Sequence, residues 1–132
     1  MKKQRFASPQ VTEPPPQTWS NCLKVGETVY VAGMIPDIKD GEPEGGDSMY
    51  RQARAVFGKI RHLLDAAGAK MDDVVKINVF VTDIRRREEV WRARREVFSG
   101  DFPVSTLVEV RALAHPLVLV EIEAVAVLGA GG

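Results

Sequence analysis

The sequence has few of the residues that bind metal ions or form disulfides: one cysteine, Cys22, and two histidines, His62 and His115. A single cysteine excludes an intrachain disulfide and is typical of a protein from a reducing compartment. The cysteine and the histidines do not have a recognised metal-ligand spacing. We therefore expect neither a metal site nor a bound cofactor.

An excess of either charge is also lacking, because 18 Lys and Arg residues balance 18 Asp and Glu residues. A chain with this balance has no overall field that draws it to nucleic acid or to an anionic membrane. Basic residues open the sequence, but no apolar run follows them, and no segment is long enough to span a membrane. We expect a cytoplasmic protein without a membrane or nucleic-acid partner.

The length and the apolar content indicate one domain over residues 1–132. With 132 residues, of which 45% are hydrophobic, the chain can build one core and is too short for two ordinary domains. Residues 8–18 contain four prolines, which disfavour a helix. Residues 1–18 are therefore predicted to form an extended N-terminal arm.

Apolar periodicity predicts two helices and five strands. In order along the chain, the predicted elements are strands at 22–25 and 28–32, a helix at 49–67, a strand at 75–82, a helix at 84–98, and strands from 104 onwards and at 117–128. The first helix has apolar residues at spacings of three and four, a cap at Asp47 or Ser48, and a terminating Gly68. Asp83 is expected to cap the second helix.

The order β-β-α-β-α-β-β predicts an α+β domain in which both helices cover one face of a mostly antiparallel sheet. Val75 is expected on the apolar side of its strand, together with every second residue up to Val81. The other sheet face has no element left to cover it. Association with further copies of the chain is the simplest way to cover that face.

The second helix carries a run of arginines that could suggest RNA binding. Six of them lie between residues 85 and 95, but Glu88, Glu89 and Glu96 are interleaved with them. Mixed charges at helical spacing are typical of a solvent-exposed face with ion pairs. We therefore interpret the arginines as a salt-bridged surface, although Arg94 falls on the same side of the helix as the apolar Val90.

The last strand is highly apolar yet contains two carboxylates, Glu121 and Glu123. Side chains alternate between the faces of a strand, which places both glutamates on one side, about 7 Å apart. The opposite side, from Val118 to Ala126, is entirely aliphatic. The glutamate side is therefore expected either to leave the interior for water or to line a pocket or a subunit boundary.

Four separated stretches, VYVAGMIP, AGAKMDDVVKINVFVTDI, FPVSTLVEV and LVEIEAVA, occur in this order around the two predicted helices. With these motifs the chain resembles the reactive-intermediate deaminase family of RidA/YjgF type, also labelled endoribonuclease L-PSP. The resemblance implies a fold like that of one bacterial chorismate mutase class and a homotrimer whose sheets form a central barrel. It also implies pockets between subunits, in which family deaminases hydrolyse enamines and imines to keto acids and ammonia.

The resemblance also assigns candidate site residues on two strands. Glu121 matches the glutamate that orients or activates the attacking water, and Glu123 is then its structural partner. Gly33 matches a glycine whose N–H can face the ligand. Ala32 stands where many members of the family have a serine.

Two tryptophans and a serine mark departures from the family pattern. Trp19 takes the place of a pocket tyrosine, and Trp91 that of an asparagine in the second helix. The two indoles suit a larger or flatter ligand, or else they only fill interface space. Ser105 replaces the arginine that binds the substrate carboxylate, and a serine offers one neutral hydrogen bond where an arginine offers a charged, bidentate one. We therefore expect that the substrate is not 2-aminoacrylate.

The resemblance leaves open whether the chain is an enzyme. One hypothesis is an enamine or imine deaminase-like hydrolase that acts on a small reactive metabolite, with Glu121 handling water. The alternative is a non-catalytic trimer that binds a small molecule between its subunits. RNA cleavage has little support, because the composition is neutral and no Ser/His or His/His arrangement is evident.

Overall fold

The computed structural model describes residues 1–132. The secondary structure elements, in chain order, are β1 Lys3–Arg5, β2 Cys22–Val25, β3 Thr28–Met34, β4 Ile38–Lys39, β5 Glu42–Pro43, α1 Met49–Ala66, β6 Val74–Val81, α2 Arg87–Val97, β7 Val104–Glu109 and β8 Val120–Val127. Short 3-10 turns at Met71–Asp73 and Ile84–Arg86 precede β6 and α2. The predicted order β-β-α-β-α-β-β is present, with β1, β4 and β5 in addition.

Six strands form one sheet in the order β1-β2-β3-β8-β6-β7, and β4 pairs only with β5. All neighbours in the large sheet are antiparallel except β6 and β7, which run parallel. The prediction of an α+β domain with a mostly antiparallel sheet is confirmed. The N-terminal arm is more than a lead-in, because Lys3–Arg5 pairs with β2.

Helix α1 supplies most of the layer that covers the sheet. The Ser48 hydroxyl, and not Asp47, caps it by accepting a hydrogen bond from the Arg51 N–H at 3.1 Å. Gly68, with a φ of +86°, adopts the left-handed conformation that lets the chain leave the helix. Apart from Gln52, the buried residues of α1 are apolar and include Phe57, in agreement with the predicted stripe.

Helix α2 begins later than predicted. Asp83 caps the 3-10 turn before it, since its carboxylate accepts the Arg85 N–H at 3.0 Å. The helix itself runs from Arg87 to Val97 and buries Val90 and Ala93. The prediction that Asp83 caps α2 was therefore wrong by about one turn.

Strand alternation holds in β8 and fails at the start of β6. Val120, Ile122, Ala124 and Ala126 of β8 are at most 3% exposed. In β6, however, the predicted inward Val75 is 38% exposed, and Val74 is buried in its place. A register shift between Val74 and Lys76, opposite β8, inserts one residue and reverses the parity before it.

Gln52 fixes the start of β8 against α1, although it is a buried polar side chain. Its oxygen accepts the Leu119 N–H at 2.8 Å. Its amide nitrogen donates to the carbonyls of Leu117 and Gly46 at 3.0 and 2.7 Å. These bonds satisfy all the polar atoms that a buried glutamine must pair. They hold in place the segment that leads directly to Glu121.

Candidate functional site

A bulge in β3 lies beside Glu121 on the face of the sheet that the helices leave open. Val31 pairs with Ala124 and Met34 with Ile122, so β3 has one residue more than β8 between these two pairs. Ala32 and Gly33 of β3 together lie opposite the single residue Glu123 of β8. A bulge of this kind bends a strand and interrupts its ladder, and such features are frequent next to active sites.

The Glu121 carboxylate lies directly over Gly33. A methyl group on Gly33 would collide with the Glu121 carboxylate oxygen and would stand 2.9 Å from its carboxyl carbon. Only a residue without a side chain leaves this space to the carboxylate. Gly33 and Glu121, which were predicted as site residues from separate motifs, are thus in contact.

The Glu121 carboxylate is half-buried and has no partner. Burial raises its pKa above the usual value for a glutamate, and the neighbouring negative charge of Glu123 raises it further. No hydrogen bond from another residue lowers it. A carboxylate in this state is a stronger proton acceptor than an exposed one.

Glu123 lies on the same face but is engaged within the chain. Its carboxylate accepts a hydrogen bond from the Asn78 amide at 2.9 Å. It lines a cavity of about 280 Å³ on the open face, together with Asn78 and Ala32. The geometry of Glu123 therefore fits the predicted structural role, in contrast to the unpaired Glu121.

Trp19 reaches the same end of the sheet as Ala32. Its indole N–H donates to the Asn21 side-chain oxygen at 3.1 Å, and the Asn21 carbonyl accepts the Ala32 N–H at 2.9 Å. The indole is 55% exposed in a single protomer. The structure thus brings four of the predicted site residues to one region, and these are Trp19, Ala32, Gly33 and Glu121.

Ser105 and Trp91 lie elsewhere. Ser105 of β7 is in register with Ile77, whose buried side chain faces the helices, whereas Glu121 faces the open side. Trp91 is on α2, in a cavity of about 410 Å³ that Arg94, Arg95 and Phe102 also line. One protomer does not assemble all the predicted residues into one pocket.

The arginines of α2 are less paired than predicted. Glu89 pairs with Arg86 at 2.8 Å, but Glu96 pairs with Arg54 of α1 at 3.5 Å. The guanidinium of Arg87 lies 5.6 Å from the ring centre of Trp91. The interpretation of the run as a salt-bridged surface is confirmed for Arg85 and Arg86, which pair with Asp83 and Glu89, but not for the arginines within α2 itself.

Arg94 is the residue that sequence reasoning missed. Its Nε is buried and has no hydrogen-bond partner. Burial lowers its pKa, and the positive charge of Arg95 lowers it further. The signal was available, because Arg94 lies four residues from both Val90 and Phe98, which are buried.

Two further findings concern metal ions and membranes. The structure places no group of three or more His, Cys, Asp or Glu side chains where they could hold a metal ion. Neither helix has the length and the apolar character needed to cross a membrane.

Comparisons with known proteins agree with the motifs. The family model described as Endoribonuclease L-PSP matches residues 11–128. A RutC family protein of Pyrococcus abyssi is 37% identical over 109 residues, which cover 82% of this chain and 84% of the relative. A protein of Dermatophagoides farinae named 2-iminobutanoate/2-iminopropanoate deaminase is 30% identical over 129 residues, which cover 97% of this chain and 99% of the relative.

A solved structure extends this likeness to the fold. It is a Mycobacterium tuberculosis protein described as a member of the YjgF/YER057c/UK114 family, with 37% identity and a TM-score of 0.74. The match covers 83% of this chain and 86% of that chain. The resemblance drawn from the four sequence motifs is confirmed, and the chain belongs to the Endoribonuclease L-PSP (RidA/YjgF) family.

Proposed function

We propose that the protein hydrolyses the C=N bond of a small reactive imine, or of the enamine in equilibrium with it. The observation that carries the proposal is the unpaired, half-buried Glu121 carboxylate, held over Gly33 at a bulge in the sheet. Membership of a family in which one relative is named an imine deaminase supports the same chemistry.

The role of Glu121 follows from its raised pKa and its lack of a partner. In the proposed reaction, a water oxygen adds to the imine carbon while Glu121 accepts one of the water protons. Glu121 passes this proton to the nitrogen, which gives a carbinolamine. The carbinol hydroxyl then gives its proton to the nitrogen as the C–N bond breaks, so that ammonia leaves and the carbon retains the oxygen as a carbonyl. A general base with a pKa shifted towards neutrality serves this step better than an ordinary surface glutamate.

The proposed site lies between the subunits of a homotrimer. The open face of the sheet supports this, since it carries Glu121 and Glu123 together with Tyr30, which is 50% exposed. The predicted site residues Ser105 and Trp91 are on the other side of the sheet from Glu121. Light scattering should give a mass of about three times 14.6 kDa. A stable monomer at micromolar concentration would remove the intersubunit pocket from the proposal.

The proposed substrate is not 2-aminoacrylate. Ser105, which stands where family deaminases have their carboxylate-binding arginine, has no positive charge with which to hold so small an anion. Contacts of Trp19 and Trp91 with the ligand would favour a larger or flatter molecule.

Ser105 also favours a second candidate function, a trimer that binds a small molecule without turnover. Thermal stabilisation by a ligand that is never converted would support that second function.

The decisive experiment compares Glu121→Gln with Glu123→Gln. Imines are generated from a panel of amino acids by an amino-acid oxidase, and ammonia release is followed with and without the protein. Glu121→Gln keeps the size of the side chain but not its ability to accept a proton. We expect it to lower turnover at least about tenfold, equivalent to 1.4 kcal/mol, and to leave the trimer intact.

Glu123→Gln is the matched control, one position along the same face. Because Glu123 is bonded to Asn78, this substitution should alter melting temperature or assembly more than turnover. If both variants change assembly equally and neither changes ligand handling, Glu121 has no catalytic role.

A further inference from the structure

The cavity beside α2 has an aromatic wall that is anchored in the core. Phe102 is 41% exposed and packs edge to face on Phe98, with ring centres 6.0 Å apart. Phe98 in turn packs edge to face on the buried Phe57 at 5.6 Å. The exposed ring of Phe102 is therefore held firmly. Together with the indole of Trp91, it gives the cavity two flat apolar surfaces.

Arg94 and the more exposed Arg95 both line this cavity, and Arg94 has no ion pair within the chain. Of the three acidic residues of α2, Glu89 is bonded to Arg86, Glu96 is bonded to Arg54 and the Tyr50 hydroxyl, and Glu88 forms no ion pair with Arg94. The buried Nε–H of Arg94 donates to no atom of the chain. An unmade hydrogen bond of this kind is costly and calls for an explanation.

The cavity lies near Ser105, the position at which the family has its carboxylate-binding arginine. Phe102 belongs to the short connection from α2 to β7, which begins two residues later at Val104. Ser105 then points to the helix side of β7, the side on which α2 lies. The neutral Ser105 and the charged Arg94 thus flank the same connection, on the same side of the sheet.

We propose that Arg94 binds the carboxylate of a ligand whose flat or branched apolar group lies against Trp91 and Phe102. The inference rests on the proposed function and narrows its substrate to an imino acid with a sizeable apolar side chain. Compared with the family pattern, the positive charge then comes from helix α2 and not from strand β7. The cavity of about 410 Å³ is within the size range of small-molecule sites. A carboxylate matches the half-buried guanidinium of Arg94 in charge and in bidentate geometry.

The test uses benzoate as the probe and benzamide as its neutral counterpart of the same shape. Trp19→Phe leaves Trp91 as the only indole, so that tryptophan fluorescence reports on this cavity alone. In that background benzoate should bind more tightly than benzamide. Arg94→Gln should weaken benzoate binding at least about tenfold and leave benzamide binding unchanged.

Two further substitutions make the result specific. Arg92→Gln is the matched control, because Arg92 is on the same helix but lies over the Tyr50 ring, 4.0 Å from its centre. It should leave the affinity for benzoate unchanged. Arg94→Lys, which keeps the charge but not the fork of donors, should retain part of the affinity and guards against a folding defect in Arg94→Gln.

The outcomes separate this inference from the proposed function. If Arg94→Gln binds benzoate as tightly as the parent, or if the parent itself does not bind benzoate, the inference is overturned. Binding that depends on Arg94 supports it, even if Glu121→Gln turns out to keep full turnover. In that case the proposed function would fail while the carboxylate site stood.

Discussion

Glu121 and Arg94 lie on opposite sides of the sheet and share an unusual state. Each is half-buried, and neither has a charged partner within the chain. Burial raises the pKa of the acid and lowers the pKa of the base, so each is displaced towards its neutral form. Each charge therefore makes the folded protomer less stable than an apolar or paired residue would. Such displaced groups are concentrated at functional sites.

The position of the two groups adds a geometric lesson. The sheet separates them, so that neither can neutralise the other within one protomer. A pocket that contains both the Glu121 carboxylate, which accepts a proton from water, and the Arg94 guanidinium, which binds a carboxylate, has to be built from two protomers. Such a pocket links the proposed trimer to the proposed chemistry.

The largest effect on turnover is expected from Gly33→Ala, on the face of the sheet that carries Glu121. Gly33→Ala would force the Glu121 carboxylate to move, since the new atom would overlap it. A displacement of about 1 Å can reduce turnover by up to about 100-fold, and we expect a loss of at least about tenfold here. Because the atoms that must move are the far end of one flexible side chain, the melting temperature should change little.

Gly58→Ala is the control for this experiment. It adds the same methyl group in the middle of α1, where nothing lies within 4 Å. Turnover should be unchanged, and the helix should gain about 0.5–1 kcal/mol in stability. Wild-type turnover in Gly33→Ala would mean that the place of the Glu121 carboxylate does not matter.

A smaller effect on kcat/KM is expected when subunits that lack Glu121 are mixed with subunits that lack Arg94. If each site combines Glu121 of one subunit with Arg94 of its neighbour, trimers mixed from Glu121→Gln and Arg94→Gln subunits regain some intact sites. Random mixing restores about a quarter of them. The kcat/KM of the mixture should then exceed that of either parent by about twofold or more. A value equal to the average of the two parents would show that the groups do not share a site.

The smallest effect concerns pH and stability. At pH 7 the ionised Glu121 is less favourable in the folded state than in the unfolded state, because its pKa is raised on folding. As the pH falls through the raised pKa towards the ordinary value, the folded state takes up the proton first and the penalty disappears. Glu121→Gln should therefore melt above wild type at pH 7, by about 4 °C for each kcal/mol relieved.

The difference in melting temperature between Glu121→Gln and wild type should shrink as the pH is lowered to about 4. All other carboxylates are common to the two proteins, so the comparison isolates Glu121. A difference that is constant between pH 4 and pH 7 would show that burial does not shift the pKa of this carboxylate.

Much of the fold could be predicted because its signals are local. The alternation in β8, the stripe of α1 and the Ser48 cap depend on neighbours in sequence. The start of β6 could not be predicted, since Val74 and Val75 are the same residue and only pairing with β8 decides which one is buried. Lys3–Arg5 could not be recognised either, because a short polar edge strand has no apolar pattern.

The site was harder to predict from the sequence than the fold, for a related reason. The contact between Gly33 and Glu121 joins two motifs through strand pairing, and the family resemblance anticipated both residues but not their contact. Arg94 has no ion pair partly because Glu96, two residues along the same helix, pairs with Arg54 of α1. Charge partners that come from another element cannot be read from the spacing within a helix. The assignment of roles to Glu121, Trp19, Trp91 and Ser105 stays a prediction.

The two outer strands of the large sheet differ in a way that limits how copies of the chain can join. Strand β1 has three exposed polar residues, two of them basic, whereas β7 exposes Val104 and Val108. Short charged edges resist the addition of another strand. A filament that grows by edge pairing needs a receptive edge at both ends of every unit. With one end protected, this sheet resists open-ended growth by edge pairing.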